Sequence, residues 1–133
     1  MDVTELFWAW AKACVAKDVD AIADLYCPDA THAFPFREGA PVIAGREAIR
    51  RHLAAGFGQA PVSFSGIKDA VVHHTDDPHT VVAECRFEGT VTSTGAVFQP
   101  PYVEVLTERE GLIGAVRDYE NLSYRATREA GSE

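Results

Sequence analysis

The chain reads as an α+β domain in which three helices come first and a long antiparallel sheet follows. Three observations predict this. Apolar residues recur at helical spacing up to about residue 57. After Pro61 the chain turns to β-rich segments broken by turn residues. Nothing between the two halves reads as a linker, a repeat or a low-complexity stretch. Helices gathered on one face of an antiparallel sheet define this class. A strongly curved sheet wrapped over them encloses a cone, and its open end is a natural ligand pocket.

Residues 3–26 are helical by pattern, with Leu6, Phe7, Trp10, Cys14 and Val15 on one face. KDVDAIADLY places a new N-cap at Asp18, hence a second short helix, which Pro28 is expected to end. DATHAFPF reads as a short strand entering the loop REGAPVIAG. From Gly45 a third helix, GREAIRRHLAAGF, directs Ala48, Ile49, Leu53 and Phe57 inward. Strands follow near 62–74, 80–92, 97–109 and 112–124, with breaks at DDPH, STG and EREG. The tail TREAGSE is polar and expected to fray.

At 133 residues the chain is one domain, residues 1–133, large enough for a core without staples. A net charge of -8 argues against nucleic acid or an anionic membrane as the main partner. Cys14, Cys27 and Cys85 cannot form a closed disulfide set and show no CxxC spacing, so free buried thiols are expected. The N-terminus lacks the basic region of a signal peptide, and no 18-residue apolar run occurs, which points to the cytoplasm. There is no glycine-rich phosphate loop, no GxSxG and no HExxH, so no cofactor is expected. His73, His74 and His79 with Asp76 and Asp77 straddle a turn, and a solvated hairpin is favoured over a metal cluster.

LYCPDATHAFPF, IAGREAIRRHL and EREGLIGAVRDY, in this order, resemble the nuclear transport factor 2-like, or SnoaL-like, superfamily. The resemblance implies a cone-shaped cystatin-like fold. That superfamily holds ketosteroid isomerase, polyketide cyclases, dehydratases and non-catalytic binding modules, so the fold alone leaves the function open. A narrower resemblance, from about residue 25 to residue 122, is to the phenazine-biosynthesis A/B proteins. It is carried by GAPVIAGREAIRRH, HTDDPHTVVAEC and GLIGAVRDYEN. It implies that a histidine on the third helix and a carboxylate on the last strand act as acid and base. Those positions are His52 and Asp118. The chain departs from that family at Ala21, Ile22 and Ala23, where an arginine is usual, and at Gly56, where a serine is usual. Family members commonly pair through the outer face of the sheet, so a homodimer is expected.

Side chains alternate across a strand, so Asp118 shares a face with Val116, Glu120 and Leu122. A carboxylate among apolar neighbours is held towards its neutral form, which suits acid/base work. The alternative is a pair with Arg117 or Arg86 at the strand end. His52 borders the buried face of its helix, and its alternative is a single local hydrogen bond. Glu104 shares a face with Tyr102 and Leu106. It lies near the strand position where ketosteroid isomerase-like proteins keep a protonated aspartate for an oxyanion. That enzyme's general base would fall near Phe34, which cannot do the work, so its plain mechanism is not expected here.

His32 and Phe34 share a strand face that reaches toward the pocket. Trp10, Phe7 and Tyr102 are expected to form its apolar wall, and Glu120 to stand beside Asp118. Glu84, between Val82 and Arg86, is placed on the outer sheet surface. The ligand expected is a small hydrophobic or cyclic metabolite with carbonyl or amino groups. Two readings stand: a cofactor-independent enzyme moving a proton within that ligand, or a module that binds in the same cone without chemistry.

Overall fold

The computed structural model describes residues 1–59 and 61–124; the TREAGSE tail lies outside the described residues. Helix α1 (Val3–Val15) begins at a reciprocal capping box. The Asp2 side chain accepts the Glu5 backbone N–H at 2.9 Å, and the Glu5 side chain accepts that of Asp2 at 3.0 Å. The chain turns at Lys17, and helix α2 (Val19–Ala23) is capped by Asp18, which accepts the Ala21 N–H. Helix α3 (Arg46–Gln59) buries Ile49 and rests Leu53 and Phe57 against the core.

The strands are β1 (Tyr26–Ala33), β2 (Val42–Ala44), β3 (Val62–His74), β4 (Thr80–Val91), β5 (Val97–Phe98), β6 (Pro101–Arg109) and β7 (Leu112–Glu120). They form one sheet in the order β2-β1-β7-β6-β4-β3, with β5 paired to β4. The meander from β3 to β7 is antiparallel, as expected. The pairing of β1 with β7 is parallel, so the sheet is mixed rather than wholly antiparallel. The helices pack on its inner face, where Leu6, Phe7, Ile22, Tyr26, Leu106 and Val116 are sealed from solvent. Strand β4 alternates cleanly, burying Val81, Ala83, Cys85 and Phe87 while exposing Glu84.

Four boundaries differ from the sequence reading, each for a local reason. Pro28 does not end a helix but lies inside β1, where the register with β7 slips between Tyr26 and Thr31 and no ladder donor is required. Part of the loop REGAPVIAG forms β2, which pairs with β1. The stretch 97–109 divides into two strands around Pro100 and Pro101, neither of which can donate to a ladder. The last strand stops at Glu120, because the Asn121 side chain accepts the Ser123 N–H at 3.1 Å and turns the chain. Leu122, expected on the pocket face, is instead 56% exposed.

The β6–β7 turn matters most for the site. Glu110 and Gly111 both take positive φ, 55° and 80°, which a two-residue type I′ hairpin requires. The hairpin it starts sets Leu106 opposite Val116, Glu104 opposite Asp118 and Tyr102 opposite Glu120.

Candidate active site

Three adjacent strands bring three polar side chains into one row. Glu104 on β6 and Asp118 on β7 are direct cross-strand partners, so their side chains lie on one face within contact distance. Strand β1 runs beside β7 on the other side, with His32 opposite Val116. From there His32 Nε2 reaches Asp118 Oδ2 at 3.4 Å. His32 is 3% exposed, Glu104 is 1% exposed and the Asp118 side chain is 13% exposed. Buried polar groups of this kind require partners.

The partners available decide where the protons sit. Two carboxylates directly opposite one another repel, and burial penalises each charge further. Burial, followed by the charge of Asp118, pushes the Glu104 carboxyl well above the ordinary carboxylate range. Glu104 is therefore the member that keeps its proton. Its Oε2 and the Oδ1 of Asp118 are buried and meet no donor among the described residues. A hydrogen bond from the protonated Glu104 carboxyl to Asp118 favours the neutral form further.

The row opens into a cavity of about 280 Å³ under the helices. Its apolar wall includes Trp10, Leu53, Phe57, Phe64, Phe87 and Phe98. Cys14 also lines it, but burial holds its thiol well above the ordinary value, which disfavours the thiolate a nucleophile needs.

A second polar cluster stands at the mouth. Arg37, on the turn after β1, donates from Nε to Glu120 Oε1 at 2.6 Å and from Nη2 to Oε2 at 2.9 Å. This bidentate pair has the planar geometry that arginine and carboxylate favour. The guanidinium also lies 3.7 Å above the Phe34 ring, and its Nη1 stands 3.5 Å from His52 Nε2. Burial, then the Arg37 charge, lowers the affinity of His52 for a proton. His52 Nε2 is thus an acceptor facing a permanent cation.

The residues singled out in the sequence are sorted by this geometry. Asp118, Glu104, His32, Phe34, His52, Trp10, Tyr102 and Glu120 all line the cavity. Phe7 does not; it is fully buried behind Trp10, their ring centroids 6.3 Å apart. The neighbour of Asp118 is His32 from β1, whereas His52 contacts Arg37 and the Phe34 ring. Glu84 accepts His73 on the outer sheet surface at 2.6 Å, as expected. His79 and Asp77 serve the β3–β4 turn, where Asp77 accepts the His79 backbone N–H at 2.9 Å. All three cysteines are free and buried.

Two polar residues of the site escaped the sequence reading. Arg37 lies in an irregular segment with no periodicity to mark its direction. Tyr26, wholly buried, touches His32 Nδ1 with its hydroxyl at 3.0 Å. Its even spacing from His32 along one strand was the available signal, hidden because Tyr26 was read as the end of a helix.

A family model described as a SnoaL-like domain matches residues 6–116. The chain belongs to the SnoaL-like family. Among SnoaL-like relatives, an uncharacterized protein of Bacillus subtilis, YesE, is 32% identical over 107 residues, covering 79% of this chain and 71% of the relative. An uncharacterized PhzA/B-like protein of Pseudomonas aeruginosa is 29% identical over 109 residues, covering 78% of this chain and 73% of the relative. A solved structure named "Putative Isomerase from Bacillus subtilis" superposes with a TM-score of 0.78 at 29% identity, over 90% of this chain and 86% of that one. Another, named a "putative polyketide cyclase" from Xanthomonas campestris, gives 0.74 at 25% identity and covers 90% of each chain. This SnoaL-like chain therefore has the fold shared by isomerase-type and cyclase-type proteins. Among the described residues, no helix is long and apolar enough to cross a membrane.

Proposed function

We propose that this SnoaL-like protein is a cofactor-independent enzyme that moves a proton within a small hydrophobic or cyclic ligand bearing a carbonyl or amino group. The observation that carries this reading is the Glu104–Asp118 pair, a carboxyl that keeps its proton opposite a carboxylate, beside an aromatic-walled cavity. Environments that separate two carboxyl groups into acid and base are what proton-transfer enzymes use. In this reading Asp118 takes the proton from a carbon next to the ligand's carbonyl. Glu104 supplies its hydrogen to the oxygen on which negative charge develops, and the proton returns at a second position. The net result is an isomerisation, or the ring closure or condensation that an enolate carries out. His52 and Glu120 act at the mouth, with Arg37, on the part of the ligand that faces outward.

The test has two parts. Infrared difference spectra at pH 7 are expected to contain a protonated carboxylic-acid band that Glu104→Gln removes; a band unaffected by that substitution rejects the assignment. A screen of cyclic ketones and aminoketones, followed by solvent deuterium exchange at the carbon beside the carbonyl, is expected to give a substrate that Asp118→Asn no longer exchanges. The pairing of Arg37 with Glu120 favours a second reading, a binding module, because it ties up two of the mouth's charged groups. Under that reading ligands bind but never exchange.

The reading includes a homodimer formed through the outer sheet face. Support comes from Val71, 49% exposed there, and from an open groove that includes Val103 and Tyr119. Sedimentation at twice the 14.5 kDa chain mass tests it.

A further inference from the structure

The chain of buried polar contacts does not stop at His32. Trp10 on α1 donates its indole Nε1–H to the Tyr26 hydroxyl oxygen at 3.1 Å, and that oxygen lies 3.0 Å from His32 Nδ1. Tyr26 is wholly buried, Trp10 is 4% exposed and His32 is 3% exposed, so the Tyr26 hydroxyl is sealed from bulk solvent. Burial keeps the phenol far above its ordinary value, and the hydroxyl retains its single hydrogen.

Each group's inventory fixes the direction of each bond. An indole nitrogen can only donate, so Tyr26 must accept from Trp10. If the hydroxyl also accepted from Nδ1–H, its own hydrogen would be buried with no acceptor among the described residues. The arrangement that leaves nothing unmade has Tyr26 donating to Nδ1. In the neutral ring the remaining hydrogen is then on Nε2, where it faces Asp118 Oδ2 at 3.4 Å.

We infer that Tyr26, its hydroxyl anchored by Trp10, is a positioning residue that holds the His32 proton on Nε2 and so presents it to Asp118. This rests on the reading of Asp118 as the group that takes up a proton. It adds that one carboxylate oxygen is occupied from β1 while Oδ1 faces Glu104 and the ligand. The site's proton order is then set by a buried tyrosine on β1, two contacts away from the carboxylate, its hydroxyl held by the tryptophan of the first helix. The stacking of His32 between Tyr26 and Phe34, at centroid distances of 6.1 and 4.8 Å, holds the ring plane in which those bonds align.

The test is nitrogen-15 NMR of the full chain labelled at histidine, with His32 assigned by its loss in His32→Gln. The wild-type ring is expected to carry its proton on Nε2, with Nδ1 shifted as a hydrogen-bond acceptor. In Asp118→Asn no carboxylate favours Nε2–H, yet the ring is expected to keep that form because Tyr26 and Trp10 remain. Adding Tyr26→Phe to that variant removes the hydroxyl that donates to Nδ1, and both tautomers are expected. Tyr26→Phe, should the double variant not fold, is expected to move the Nδ1 signal to that of an unbonded nitrogen. A wild-type proton on Nδ1, a mixture already present in Asp118→Asn, a single form in the double variant or an unmoved Nδ1 signal in Tyr26→Phe each overturns the inference. The acid/base reading is judged separately, by exchange activity, so the two can fail independently.

Discussion

The inner end of the cavity and its mouth hold similar residues, a histidine and carboxylates each, yet they are built on opposite principles. At the inner end every partner comes from regular structure, the groups are buried, and Asp118 pairs with His32 rather than with an arginine or lysine among the described residues. At the mouth Arg37 imposes a fixed positive charge on Glu120 and His52, and the Arg37 side chain remains 35% exposed. A permanent cation removes the ambiguity of a proton's position. The lesson is that titratable residues qualify for proton transfer by what they lack, a fixed countercharge, as much as by what they touch. His52 matches the expected catalytic motif in sequence but stands at the mouth, against Arg37 and the Phe34 ring.

That contrast can be broken most severely at Asp118. Asp118→Asn is expected to lower turnover by about 10²- to 10⁴-fold, the usual worth of a positioned acid or base. Its melting temperature should stay at or above that of the native chain, because a carboxylate facing another carboxyl has been removed. Comparable turnover would place the chemistry elsewhere.

Glu104→Gln sharpens the same end through stability. A carboxyl whose folded-state pKa is raised contributes stability fully present below its unfolded value of about 4.3 and lost as pH rises towards the folded value. The native chain should therefore weaken from about pH 5 upward in denaturant titrations, and Glu104→Gln should flatten that slope. An unchanged slope would mean that Glu104 is ionised in the fold.

At the mouth the effects should be smaller and of another kind. His52 has a lowered pKa, so its contribution is present above the unfolded value of about 6.5 and is lost as pH falls through the folded one. His52→Gln should remove that acid sensitivity while changing turnover by less than about tenfold, below the usual worth of a positioned acid or base. Smallest of all, Glu120→Gln should cost roughly 0–1 kcal/mol, since the pair is partly exposed. Its signature is a change in ligand affinity that varies with salt, read by titration at two ionic strengths. A loss of turnover as large as that of Asp118→Asn would dissolve the distinction between the two ends.

Period and breakers made the architecture legible. Helical spacing located α1 and α3, Asp18 located the second N-cap, and alternation placed Asp118 and Glu104 on inward faces. What alternation cannot supply is which strands become neighbours. That Glu104 faces Asp118 follows from the hairpin turn, but that His32 lies beside them follows from a parallel pairing between segments more than 80 residues apart. No local pattern encodes such a contact. The helix pattern put His52 at the border of the buried face, which proved right, but a face is not a distance. Pro28 misled because a proline usually punctuates, whereas a slipped register gave it a place inside β1.

The parallel seam between β1 and β7 also bears on the order of biosynthesis. Asp118 is translated 86 residues after His32. Helices and the β3–β4 hairpin can collapse early through local contacts, but the proton-sharing row cannot exist until the final strand inserts between β1 and β6. A nascent or truncated chain ending before Leu112 would carry the aromatic wall without Asp118. Strand β7 thus completes a row that β1 and β6 alone leave open.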